Sequence, residues 1–269
     1  ESERKIVMQI TSRENKRFKL WKKLKTKKER DRQGLFLIEG EHLVEEAFAS
    51  NWVMEDLMVR EGDVRTEGLK QAASKRNINF YVLPPALFDE VASTETPQGV
   101  LAVLKKPSLS LFDQKAASLL LMVDEVRDPG NLGTLIRTAD AAGVDAVLIS
   151  KGTTDPYGEK ALRSTQGSLF HLPVFQMDLV TMADQLKAEG WLLVGATLHG
   201  MDLRRLAVER GQKVALIVGN EARGISAALE QKAQYHVKIP LFGQAESLNV
   251  GVAAGILLYH IQFQRKGSN

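Results

Sequence analysis

The sequence predicts an α/β protein of two domains, the second built on a parallel sheet. Three observations carry this expectation. Strand-like apolar segments alternate with helical ones along most of the 269 residues, the pattern of layered strands and helices. After residue 117 the strands are near-continuous apolar runs, which suit a parallel sheet covered on both faces. Between them Lys105–Lys115 contains Lys-Lys-Pro and polar residues with no clear period, which reads as a linker.

In order, Leu35–Ile38 reads as a strand, His42–Ser50 as a helix, Leu57–Arg60 as a strand and Glu67–Arg76 as a helix. Phe80–Leu83, Ala86–Ala92 and Val100–Leu104 follow as strand, short helix and strand. In the second half the strands are Leu119–Val123, Ala146–Ile149, Leu192–Ala196, Val214–Val218 and Tyr235–Ile239. The helices are Leu132–Ala142, Glu159–Thr165, Leu179–Glu189 and Gly251–Phe263. The expected division is a basic arm at 1–32, a small domain at 33–105, a linker at 106–116 and a larger domain at 117–269.

The composition, 44% hydrophobic and 26% charged, is that of a globular chain. No run of about 18 apolar residues marks a membrane span, and the charged N-terminus lacks the apolar core of a signal peptide. Cysteine is absent, which fits a cytoplasmic protein and removes disulfides and thiolate metal sites. The five histidines are scattered without an HxxxH pair, so no metal is expected. Charge is unevenly placed. Residues 1–30 hold twelve Lys/Arg against four Glu, a net +8, so the rest of this +3 chain carries −5. A basic arm on an acidic body is the footprint of a polyanion partner; the alternative is a solvated helix face. Phe18 and Trp21 lie inside the run, placed to stack on bases or to anchor the arm. The arm's cations cover most of a helix circumference, which favours nucleic acid.

Ligands of open parallel sheets bind beyond the carboxyl ends of the strands, so the segments following each strand are the candidate sites. After Leu119–Val123 comes DEVRDPGNLGTLIRTADAAG, with a turn at Asp128–Asn131. Asn131 and Arg137 are six residues apart, about 9 Å along a helix axis, and so serve different ends of a site. Arg137 sits among small and apolar residues, poised for an anion or a partner subunit, or else for a salt bridge to Asp140. After Leu192–Ala196 comes the polar loop Thr197–Gly200. After Val214–Val218 comes GNEARGIS, where Gly219 permits close backbone approach and a simple turn leaves Asn220-Glu221 unexplained. The last segment, VKIPLFGQAESLNVGVAAGILLYH, joins a strand, a polar loop and a helix of small residues, with Ser247 or Asn249 available as its N-cap. No GxGxxG, GxxxxGK[ST] or GxSxG is present, which argues against a dinucleotide enzyme, a P-loop NTPase and an α/β-hydrolase.

Taken together, DxxxDPGNLGTLIRTADA, LIVGNEARGIS and IPLFGQAESLNVGVAAGILLY resemble, in order and spacing, the three motifs of the SpoU/TrmH branch of the SPOUT RNA methyltransferases. FLIEGEHLVEEA with STETPQGVLAV resembles the family's N-terminal substrate-binding domain of ribosomal-protein-like α/β fold. The resemblance implies S-adenosylmethionine-dependent methylation of a ribose 2′-OH in structured RNA. It implies a SPOUT parallel sheet with a deep C-terminal trefoil knot, which would bring Gly251, Ala253, Ala254 and Gly255 close to neighbouring backbone, and a homodimer with the site at the subunit interface. It carries catalytic roles onto Asn131, Arg137, Glu221, Ser247 and Asn249. Cofactor contacts are expected from Leu198, His199, Gly200, Gly219, Ile239, Leu241 and Leu248, chiefly through backbone, with no separate role for the His199 side chain.

The implied reaction is a displacement at the cofactor methyl, to which alignment of oxygen, carbon and sulfur contributes much of the rate. A guanidinium is an awkward base, so Arg137 is expected to hold a phosphate or the developing alkoxide, and Glu221 to orient Arg137 or Asn131. The separate N-terminal domain favours large-subunit rRNA as substrate. The alternatives are a tRNA 2′-O-methyltransferase and a non-catalytic RNA-binding or ribosome-assembly factor on the same fold.

Overall fold

The computed structural model describes residues 8–107 and 116–267. Arg4 and Lys5 of the basic run, and residues 108–115 of the expected linker, lie outside the described residues. The chain divides into two compact units, the first comprising residues 1–108 with 157–163, the second 109–156 with 164–269.

The first unit runs β1 (Met8–Gln9), α1 (Lys16–Lys23), α2 (Lys27–Gln33), β2 (Leu35–Glu39), α3 (Glu41–Ala49), β3 (Met54–Arg60), α4 (Thr66–Lys75), β4 (Asn79–Leu83), α5 (Pro85–Val91) and β5 (Val100–Lys105). Its five-stranded sheet has the order β1-β4-β3-β5-β2. β1, β4 and β3 pair in parallel, whereas β5 runs antiparallel to both β3 and β2.

The basic segment is part of this unit rather than an arm standing apart from it. β1 extends the sheet by pairing with β4. Asn15 caps α1 by accepting from the N–H groups of Arg17 and Phe18. Phe18 and Trp21 are 1% and 0% exposed in the core. The Trp21 indole N–H donates to the buried carboxylate of Asp56 at 2.9 Å, and Tyr81 meets its ring edge-on at 4.9 Å. Both aromatics therefore anchor the segment and are not available to stack on bases. One face of α1 is core, so its cations occupy the remaining surface.

The second unit follows as β6 (Leu119–Val123), α6 (Pro129–Ala141), β7 (Ala146–Ile149), α7 (Glu159–Thr165), β8 (Val174–Gln176), α8 (Leu179–Ala188), β9 (Leu192–Asp202), β10 (Val214–Val218), α9 (Ala227–Glu230), β11 (Tyr235–Lys238) and α10 (Val250–Lys266); residues 157–163 of α7 and its approach group with the first unit. All six strands are parallel, in the order β11-β9-β10-β6-β7-β8. Every residue of β6, β7 and β10 is buried, as expected of strands covered on both faces. β8 and α9 are too short to have stood out in the sequence. α6 begins at Pro129 rather than Leu132, because Asp128 caps it by accepting from the Asn131 N–H and proline suits the first helical turn.

β9 departs most from expectation. It continues past Ala196 to Asp202. Opposite β11, Gly195 pairs with His236 but Val237 pairs with Met201, so residues 196–200 bulge out between two registers. The expected Thr197–Gly200 loop is this bulge.

Candidate active site

The order of the second sheet places a topological switch point between β6 and β10. From β6 the chain proceeds to β7 on one side; from β10 it proceeds past β9 to β11 on the other. Connections leaving adjacent parallel strands in opposite directions open a crevice at the carboxyl ends. Asn131, Glu221 and Asn249 meet there, brought from three separate segments.

Their side chains form one directed hydrogen-bonded chain. Asn131 Nδ2 donates to Glu221 Oε1 at 2.9 Å. Asn249 Nδ2 donates to Asn131 Oδ1 at 2.8 Å. Asn249 Oδ1 accepts from the Gly251 and Val252 N–H groups at 2.9 and 3.4 Å, which makes Asn249 the N-cap of α10. The direction is forced from the helix end. The Gly251 and Val252 N–H groups only donate, so Asn249 must present its oxygen to them and its nitrogen to Asn131, which fixes the Asn131 amide in turn. Ser247 lies exposed in the loop ahead of Asn249 and is not the cap.

The Glu221 loop is held by groups the sequence reading left without roles. Asn220 Nδ2 donates to the Glu125 carbonyl at 2.9 Å, and its Oδ1 accepts from the Ala222 and Arg223 N–H groups. Asn220 and Gly224 exchange both backbone hydrogen bonds, closing a tight loop with Glu221 inside it. Asp124, 5% exposed, accepts from the Ser226 N–H at 2.8 Å. Glu125 adopts a left-handed φ of 54°, unfavourable for a residue with a Cβ and a conformation that concentrates at functional sites. The only sequence signal for this brace was Asp-Glu directly after an apolar strand. A Cβ at Gly219 would fall 2.1 Å from the Gly224 carbonyl carbon, and one at Gly200 2.3 Å from the His236 carbonyl carbon; neither position admits a side chain.

Arg137, on α6, is exposed and takes no ion pair among the described residues. The contemplated bridge to Asp140 is not formed; Asp140 Oδ2 instead lies at hydrogen-bonding distance from His171 Nδ1, 3.1 Å. Of the two partners expected for Glu221, the structure supplies Asn131. The α10 glycines also differ from expectation, for they approach side chains of α6 rather than neighbouring backbone. A Cβ at Gly251 would lie 2.7 Å from Thr134 Cγ2, and one at Gly255 3.2 Å from Thr138 Cγ2.

The residues expected to hold a cofactor lie at the ends of three neighbouring strands. Leu198, His199 and Gly200 are in the β9 bulge, Gly219 follows β10, and Ile239, Leu241 and Leu248 follow β11. Leu198 and Leu241 are 60% and 37% exposed. Residues 239–248 make no backbone–backbone hydrogen bond among the described residues. Free main-chain donors and acceptors beside exposed aliphatic side chains fit a group with a flat apolar face and a polar edge, as adenine has.

In sheet order and motif placement, the architecture and this site are those of an RNA methyltransferase of the SpoU type. Residues 118–259 match the SpoU rRNA methylase family and residues 15–102 match the MRM3-like substrate binding domain. The chain is 46% identical, over 95% of its length and 100% of the relative's, to the 23S rRNA (guanosine(2553)-2′-O)-methyltransferase RlmP of Bacillus subtilis. Among solved structures, the AdoMet-bound rRNA methyltransferase of Sinorhizobium meliloti superimposes with a TM-score of 0.84 at 30% identity, covering 95% of this chain and 97% of that one. The SpoU methyltransferase AviRb of Streptomyces viridochromogenes, in complex with AdoMet, gives 0.82 at 30% identity, covering 93% and 98%. The chain belongs to the SpoU rRNA methylase family. It is an RNA 2′-O-methyltransferase, and its methyl donor is S-adenosylmethionine.

Proposed function

We propose that this chain methylates the ribose 2′-OH of a guanosine in 23S rRNA, the substrate named for its Bacillus subtilis relative. The observation that carries the reading is the hydrogen-bonded chain Asn249–Asn131–Glu221, which unites all three motif segments at the switch-point crevice. A protein that only bound RNA would have no use for so closely specified an arrangement.

S-adenosylmethionine, when bound, supplies an electrophilic methyl group. Main-chain groups of Ile239, Leu241, Leu248, Gly219 and the Leu198–Gly200 bulge hold it. Arg137, without an ion pair among the described residues, holds the phosphate next to the target ribose; a phosphate oxygen takes the 2′-proton, and the guanidinium stabilises the developing alkoxide as it attacks the methyl carbon. Glu221 and Asn249 orient Asn131, whose amide nitrogen keeps a second hydrogen to donate. Ser247 adds a hydroxyl at the edge of the site.

We further infer a homodimer. Val252, Ile256, Tyr259 and Phe263 recur along α10 at helical spacing and are 51%, 39%, 41% and 70% exposed. An apolar stripe on an exposed helix face suits a second copy of the same chain.

The test is tritium transfer from labelled S-adenosylmethionine to 23S rRNA and to tRNA, followed by mapping of the 2′-O-methyl position. Transfer to 23S rRNA alone supports the reading; transfer to tRNA alone, or none, refutes it. Sedimentation of the wild type and of Phe263→Glu tests the dimer, with a monomeric wild type as the opposing result.

A further inference from the structure

The first unit contains a cavity of about 310 Å³ whose lining residues all belong to that unit. That volume lies at the lower end of small-molecule sites, about 300–1,000 Å³. Its apolar wall is made by Leu24, Leu37, Leu43 and Leu162.

The polar wall is rigidly built. Arg30, 7% exposed, donates from Nη1 to the Leu24 and Lys25 carbonyls at 2.9 and 2.8 Å. Lys25 Nζ donates to the Glu90 and Ala92 carbonyls at 3.0 and 2.7 Å, and an ammonium retains a third donor. The Glu39 carboxylate accepts from the Ser93 and Thr94 N–H groups and from the Thr94 hydroxyl. Tyr157, also in the lining, is pinned by Phe36 at 4.8 Å between centroids and lies under Lys106 Nζ, also at 4.8 Å. Lys25 and Arg30 belong to the basic segment of net +8, so the cavity is continuous in sequence with the part of the chain suited to phosphates. It also involves residues matched to a substrate binding domain.

We propose that this cavity takes one unstacked nucleobase of the RNA substrate, apart from the nucleotide that is methylated. A base has flat apolar faces and a hydrogen-bonding edge, which complement the leucine wall and the Lys25 side respectively. Proteins reading structured RNA commonly seat bases splayed from loops and bulges in this way. The inference rests on the functional reading above.

The test places a plug at the mouth. Ser93 is exposed and lines the cavity, and it bonds Glu39 through its backbone N–H, which a substitution leaves in place. Ser93→Trp is expected to weaken binding of transcribed 23S rRNA tenfold or more, with S-adenosylmethionine affinity and melting temperature unchanged. Ultraviolet crosslinking of the wild-type protein to the same RNA, followed by mass spectrometry, is expected to mark Tyr157. Wild-type RNA affinity in Ser93→Trp, or crosslinks confined to other segments, overturns the proposal while leaving the enzymatic reading intact. A wild type that transfers no methyl group to any RNA removes the functional reading itself.

Discussion

Asn249 donates through Nδ2 to Asn131 Oδ1 over 2.8 Å, joining the cap of α10 to the first turn of α6 across 118 residues of chain. Asn131 passes the same polarity on to Glu221. Asn131→Asp would set two carboxylates at hydrogen-bonding distance, and one would have to hold a proton. The loss of a hydrogen bond to a charged group, about 1.5–3 kcal/mol, corresponds to a roughly ten- to hundredfold fall in kcat/KM. Asn131→Asp is expected to lose at least this much at pH 8 and to recover part of it at pH 6. Glu221→Gln, which can still present an acceptor, is expected to lose less than Glu221→Ala. Rates of tritiated methyl transfer across pH check both.

Arg137 reaches solvent without an ion pair among the described residues, so removing it leaves no buried carboxylate stranded. Arg137→Ala is expected to reduce kcat by about 10²–10³, the usual cost of deleting a transition-state electrostatic partner. S-adenosylmethionine affinity, measured by calorimetry, is expected to stay nearly constant. Equal methyl transfer in the mutant would remove its role. Arg137→Lys should recover only part of the rate, since an ammonium lacks the planar fork that grips phosphate.

The basic segment contributes through charges that the fold leaves unspent. Lys16, Lys23 and Lys28 are exposed on α1 and α2. Replacing all three with alanine is expected to lower the slope of log affinity against log salt by about 2–3, from fewer counterions released. Filter binding over a salt series measures this. Deleting residues 1–30 would be a poorer experiment, because it removes Trp21 and Phe18 from the core. Trp21→Ala alone is expected to cost about 3–5 kcal/mol of stability, seen as a lowered denaturation midpoint.

Gly251 packs on Thr134 Cγ2, and the Thr134 hydroxyl donates to the Gly130 carbonyl at 2.9 Å. Gly251→Ala is therefore expected to lower the melting temperature. Adding Thr134→Ser deletes the clashing methyl, keeps the hydroxyl and should restore much of it. Failure of the second substitution to compensate would mean that the contact is not what demands glycine.

Glu90 accepts from Arg13 at 2.6 Å and from Lys22 at 2.9 Å. Hydrogen bonds from Arg13, then Lys22, hold its carboxyl at about 2, below the ordinary 4.5. A depressed folded-state value stabilises the protein fully above about pH 4.5, and the contribution is lost as pH falls toward 2. Glu90→Gln is expected to narrow the difference in melting temperature between pH 7 and pH 3. An unchanged difference would show that these pairs persist in the unfolded chain or contribute nothing.

Much of the fold was legible because it is written locally. β6, β7 and β10 are continuous apolar runs bounded by turn residues, and their limits in the structure are those read from the sequence. Where pairing partners decide, the sequence was silent. β9 looked finished at Ala196, yet β11 re-engages it at Met201 after the bulge. β1 is two residues long and exists through its pairing with β4. The basic segment looked like an arm because charge is visible in sequence, whereas the contact of Trp21 with Asp56 spans 35 residues.

The site divides in the same way. Asn131, Arg137, Glu221 and Asn249 were all named from motif and position, because the chemistry of a residue and its place at a strand end are properties of sequence. Which of them touch is decided by the parallel order β11-β9-β10-β6. Only that order brings Asn131 within 2.9 Å of Glu221 across 90 residues and within 2.8 Å of Asn249 across 118. Hydrogen bonds act over about 3 Å, a range that no spacing along a chain can specify until the sheet has closed the distance.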